Sequence, residues 1–186
     1  MGKYGDLKVL TKEEAIIMER IRNTIPSPTT DTVMVRVIDP TQVDKWFLEG
    51  AGKRGISGFF TTTDSVHGLK TPADYFDAFR LDYSGTVFGR NDEYIYILHV
   101  KTRDVGKLQT PFGKNMPNPV KGPFLDYLYP YSGNGFAAAL NGTWIAEFHA
   151  EGIRIEHGSV MVRIDRHGNE TIMGIYNVRR DAFDSQ

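Results

Sequence analysis

Between residues 143 and 178 the chain divides into short runs rich in β-branched and aromatic side chains: Thr143 to His149, Gly152 to Glu156, Val160 to Asp165 and Glu170 to Val178. Tight turns such as Glu156-His157-Gly158-Ser159 and Arg166-His167-Gly168-Asn169 separate them. Strands this short and this closely joined pair with their sequence neighbours, so the C-terminal part reads as an antiparallel β-meander. Whatever precedes it must pack on or extend a sheet.

The preceding part alternates helices and strands. Thr11-Lys12-Glu13-Glu14 has the form of a capping box, and a helix to about Asn23 follows, with Ala15, Ile16, Ile17 and Ile21 as its docking face. Ile25-Pro26-Ser27-Pro28 stops it, because the residue before a proline is pushed out of the helical region. Val33 to Ile38 and Ile56 to Thr63 read as strands, with a short helix over Val43 to Leu48 ended by Gly50-Ala51-Gly52. Thr71-Pro72-Ala73-Asp74 starts a helix to about Leu81, with a cap, a first-turn proline and an acid at the positive end. Tyr94 to Val100 alternates as a third strand. From Thr102 to Gly142 periodicity is lost, and Pro111, Pro117, Pro119, Pro123 and Pro130 fall in one long irregular segment, of a kind a compact domain seldom keeps without using it. The order indicates an α+β fold with mainly antiparallel pairing, in one domain spanning residues 1–186. Residues 1–30 form an N-terminal helical extension.

Several function classes are excluded at once. With 22 Lys and Arg against 23 Asp and Glu, no global positive field exists to coat a polyanion. The absence of cysteine removes thiolate nucleophiles, disulfides and Cys-based metal sites. His67, His99, His149, His157 and His167 form no HExxH or HxH pair, so no metal is expected. No apolar run is long enough to span a membrane, and Met1 to Asp6 lacks the apolar core of a signal peptide. The match of Gly133-Asn134-Gly135-Phe136-Ala137-Ala138 to a dinucleotide fingerprint lacks its strand and helix context, so it reads as a loop with glycine hinges. Asn141-Gly142-Thr143 reads as a turn.

Three positions carry more chemistry than their surroundings require. Arg36 interrupts an apolar strand, and a guanidinium there needs an anion: either a structural carboxylate or the paired oxygens of a bound phosphate or carboxylate. Thr61, Thr62 and Thr63 suit a strand end, but alternate hydroxyls could also face a cleft and orient a carboxylate. Glu147 is an acid inside the apolar run Trp144 to Phe148, directly after the long loop.

Arginine on the first strand, a hydroxyl triplet ending the second and glutamate on a later strand, in that order, resemble the Arg-Ser-Glu class of mono-ADP-ribosyltransferases, to which cholera-like and heat-labile enterotoxin A chains belong. The likeness runs from about Val33 to Ile164, closest at Val35-Arg36-Val37-Ile38-Asp39, Phe59-Phe60-Thr61-Thr62-Thr63, Tyr94-Ile95-Tyr96-Ile97 and Glu147-Phe148-His149-Ala150. The resemblance implies a split mixed or antiparallel β core with short flanking helices. It implies an NAD-dependent transferase in which Glu147 is catalytic and Arg36 grips the NAD phosphates or the adjoining ribose. Thr61 would orient the glutamate, with Thr62 and Thr63 completing the triplet, and the segment bearing Phe76, Phe79, Tyr83 and Phe88 would cover nicotinamide. Residues 102–142 would recognise the target. By the same analogy the chain is a bacterial toxin or effector, secreted or delivered into another cell and active in its cytoplasm. It would modify a macromolecular acceptor, protein or nucleic acid, and be neutralised by a cognate immunity protein.

Two departures stand out: the triplet is all threonine, and Ile145 occupies the place where arginine-modifying members carry Glu or Gln two residues before the catalytic acid. The second leaves water as an alternative acceptor, which would make the chain an NAD glycohydrolase. A metal-independent ribonuclease using His99 or His149 with Glu147, and a β-rich binding module recognising partners through its Pro/Gly loop, are the alternatives outside NAD chemistry.

Overall fold

The computed structural model describes residues 11–48, 55–83, 85–112, 135–139 and 141–186. The glycine stop after Leu48 and four of the five loop prolines lie outside these residues. The described elements form an α+β fold: α1 (Lys12–Thr24), β1 (Met34–Ile38), α2 (Val43–Leu48), β2 (Ile56–Thr62), α3 (Thr63–Val66), α4 (Pro72–Ala78), β3 (Tyr94–Val100), β4 (Phe136–Ala138), β5 (Trp144–Ala146), β6 (Phe148–Ile153), β7 (Val160–Asp165), β8 (Glu170–Asn177) and β9 (Ala182–Ser185). Seven strands make one sheet in the order β6-β2-β1-β3-β7-β8-β9, and β4 pairs with β5 in a separate hairpin. Every strand pairing among the described residues is antiparallel, and none of them is of the mixed kind.

The sheet is covered on both faces, which is why β1 and β3 read as nearly unbroken apolar runs. Met34, Ile38, Phe60, Leu98, Phe148 and Met161 make one face, against which Trp46 and Phe47 of α2 pack. Phe47 meets Phe183 of β9 with ring centroids 5.7 Å apart. Val35, Ile95, Ile97 and Ile164 make the other face, closed by Val66 of α3, Tyr75 of α4 and Leu81.

The expected capping box at Thr11 forms, and the expected cap at Thr71 is a capping box as well. Thr11 accepts from the Glu14 amide while Glu14 accepts from the Thr11 amide. The docking face of α1 differs from the expected one: Met18 and Ile21, with Ile25 beyond the helix end, pack with Phe136, whereas Ile16 and Ile17 are exposed. In α4 the Asp74 carboxylate accepts from the amides of Lys70 and Thr71 and from the Thr71 hydroxyl. Burial opposes its ionisation, but these bonds and the charge of Arg90 outweigh it and hold the carboxyl below its ordinary pKa. A carboxyl shifted downward stabilises the fold above its unfolded-state pKa, and that contribution is lost as pH falls through the folded-state value. Asp74→Ala should therefore cost about 1–2 kcal/mol at neutral pH, with the gap to wild type closing in acid, as followed by urea melts across pH.

Other boundaries move for local reasons. α4 ends at Ala78 rather than near Leu81, because Arg80 takes a left-handed backbone with φ 51°. The strand expected over residues 143–149 is interrupted at Glu147, giving β5 and β6, and β6 runs through Gly152 instead of a new strand beginning there. Residues 136–138 of the glycine-flanked segment are strand, not hinge, because they pair with residues 144–146. β9, a further strand, pairs with β8. Asn141-Gly142-Thr143 is a turn, closed by the Thr143 amide donating to the Asn141 side chain. No helix among the described residues is long and apolar enough to cross a membrane.

Candidate active site

The sheet forks between β2 and β1, the second and third of its seven strands. β1 pairs with β2 at only two positions, Met34 with Thr62 and Val35 with Thr61. Beyond them Arg36, Val37 and Ile38 pair with β3 alone, while Ile56 to Phe60 pair with β6. A register shift between Ile56 and Gly58 marks the diverging arm of β2, and such irregularities bend a strand away from its neighbour.

Arg36 bridges the fork. Its guanidinium donates to the Ser57 carbonyl, which the divergence leaves without a β1 partner. It also lies 5.5 Å from the centre of the Phe60 ring. Burial lowers its pKa from the ordinary arginine value, yet arginine stays charged in such a setting. Among the described residues it forms no ion pair, so the structural carboxylate partner that would explain it is not there.

A pocket of about 370 Å³ opens at this fork. Arg36, Glu147, Phe79, Tyr83 and Phe88 all line it, so five of the residues singled out from the sequence share one cavity. Glu147 is 4% exposed and sits in the break between β5 and β6, where its amide donates to the Gly135 carbonyl at 2.9 Å. That break frees its side chain from the alternation of either strand. The pocket thus has a cation, a sheltered carboxyl group and an aromatic wall, suited to a ligand with an anionic part, a flat ring and a polar centre between them.

The threonines lie differently. Thr61 is 1% exposed and does not line the pocket; its hydroxyl is buried with no hydrogen-bond partner among the described residues. The β2–β6 register, Phe59 with His149 and Phe60 with Phe148, would next set Thr61 opposite Glu147, the point at which pairing stops. Thr62 is occupied as the cap of α3, accepting from the Ser65 amide. Thr63 is the first residue of that helix. Phe76 faces a second hollow of about 280 Å³ with Asp77, Arg80 and Asp82, away from the five residues above. His99 does not line the pocket, and His149 packs edge-on against Phe59 at 5.1 Å.

Sequence reasoning missed Phe59, Asp39, Gln42 and Ile145 as lining residues. Phe59 is among the large apolar side chains exposed in the described residues, next to the buried Phe60, and nothing in the sequence alone tells the two apart. Ile145, the residue that departs from the resembled pattern, is part of the wall with Glu147 and only 3% exposed. Comparison with protein families, with curated proteins and with solved structures returns no match.

Proposed function

We propose that this chain is an NAD-dependent mono-ADP-ribosyltransferase with the split β core of that class, acting as a toxin or effector delivered into another cell and restrained by a cognate inhibitor protein. The observation that carries the reading is the meeting of Arg36 and Glu147 in one pocket at the fork of β1 and β2. A guanidinium suits the two neighbouring phosphates of NAD, since its planar donors take oxygens in pairs. Phe79, Tyr83 and Phe88 offer nicotinamide an apolar, aromatic enclosure.

Nicotinamide leaves with the electron pair of the bond to the ribose C1′ atom, and the sugar becomes oxocarbenium-like. A carboxylate at Glu147, hydrogen-bonded to a ribose hydroxyl, stabilises that charge most where it is greatest. The acceptor nucleophile then bonds to C1′ and releases its proton to solvent. The role of Thr61 is to hold the Glu147 carboxylate once substrate is bound.

One observation favours a second acceptor. Ile145, buried in the wall beside Glu147, offers no group to take a proton from an incoming side chain, and water is the acceptor that needs least help. Mass analysis of the products from NAD, with and without cell lysate, separates the readings. Nicotinamide with a labelled macromolecule means transfer, and nicotinamide with free ADP-ribose alone means hydrolysis. Intact NAD together with an unchanged melting temperature in its presence would refute both.

A further inference from the structure

Gly58 lies on the diverging arm of β2 with φ +119°, a backbone conformation that side chains with a Cβ rarely adopt. A Cβ built on it would lie 2.6 Å from Nη1 of Arg36 and 3.2 Å from both Cζ and Nη2. The guanidinium therefore occupies the space a side chain at position 58 would fill, with the Ser57 carbonyl accepting from it on one side and Phe60 beneath it. One donor is spent on that carbonyl. The others remain to be aimed.

We propose that Gly58 is a positioning residue for anion recognition: its missing side chain forms the seat that fixes the Arg36 guanidinium toward the pocket, where it takes the pyrophosphate of a dinucleotide. The identity of the anion rests on the function proposed above. The seat itself rests on the contact between Gly58 and Arg36. An alanine at position 58 meets the far end of a flexible side chain, which yields before the backbone does, so the guanidinium is displaced from the Ser57 carbonyl and its donors lose their aim.

The test compares wild type, Gly58→Ala, Arg36→Ala and the double variant, by KM and kcat for NAD and by thermal midpoint. Gly58→Ala should raise KM about tenfold, the loss expected for a misdirected charged hydrogen bond, with kcat little changed. In the Arg36→Ala background the same substitution should add nothing to KM, while its cost in thermal midpoint from the strained backbone persists. An unchanged KM for Gly58→Ala, or the same rise in both backgrounds, would overturn the seat. If Gly58→Ala does not fold, the double variant decides: recovery on removing the guanidinium supports the seat, and equal failure refutes it. If wild type leaves NAD intact, the function proposed above falls, and calorimetry with ADP-ribose on the same four proteins tests the seat by itself. Tight binding lost in Gly58→Ala sustains it, and no binding by wild type removes it.

Discussion

If the chain acts on NAD as proposed, Glu147→Gln should lower nicotinamide release by about three orders of magnitude while the far-UV circular dichroism spectrum stays that of wild type. The substitution keeps the shape of the side chain and removes only its capacity to carry negative charge. The size of the effect follows from the site. Glu147 is almost fully buried and shares its cavity with Arg36, Asp39 and a set of aromatic rings, so water screens a charge there less than it does at a surface. A carboxylate in such a place lowers the energy of a developing sugar cation far more than it would at a surface. Single-turnover measurements with wild type and variant would read the chemical step directly. A Glu147→Gln protein that releases nicotinamide at the wild-type rate would remove this residue from the chemistry and leave the pocket a binding site only.

How far the sequence reached depended on the range of the interactions involved. The helix starts were legible because a capping box is closed within four residues, as at Thr11–Glu14 and Thr71–Asp74. β3 and β7 were legible because each is a short run rich in β-branched, aromatic and aliphatic side chains, Tyr94–Val100 and Val160–Asp165. What could not be read were features set by partners far along the chain. The interruption at Glu147 arises because the segment on one side pairs with residues 136–138 and that on the other with β2, two neighbours whose directions no local pattern encodes. The fork between β1 and β2 is likewise invisible in either strand alone.

The candidate site shows the same division. Arg36 and Glu147 declare themselves as charges in apolar runs, and that local oddity is what the pocket accounts for. Phe76 and Phe79 look equivalent in sequence, three residues apart on one expected helix. The left-handed turn at Arg80 ends α4 before Phe79, so the two rings serve different hollows. Thr61, Thr62 and Thr63 look like one motif, yet α3 takes the Thr62 hydroxyl as its cap and Thr63 as its first residue, while Thr61 and Thr62 both stay paired with β1.

Thr61→Val should make the protein more stable and less active. The hydroxyl of Thr61 is buried without a hydrogen-bond partner among the described residues, and an unpaired buried polar group costs free energy that a methyl group of similar size does not. The expected gain is about 1 kcal/mol, or about 2–4 °C in thermal midpoint for a chain of this length. Buried strain of this kind persists where it serves something other than folding. The β2–β6 pairing stops at Phe60 with Phe148, one step before Thr61 would face Glu147, and in the reaction proposed above a small rotation on substrate binding lets the hydroxyl donate to the carboxylate. Losing that donor should reduce kcat by about ten- to a hundredfold, the scale of a charge-assisted hydrogen bond. Thr61→Ser separates the two effects, since it keeps the donor and removes only the methyl group. It should retain most of the activity and lose about 1 kcal/mol of stability to the space left behind. A Thr61→Val protein that is stabilised and fully active would make the hydroxyl irrelevant to the reaction. One that is destabilised would show that the hydroxyl already has a partner in solution.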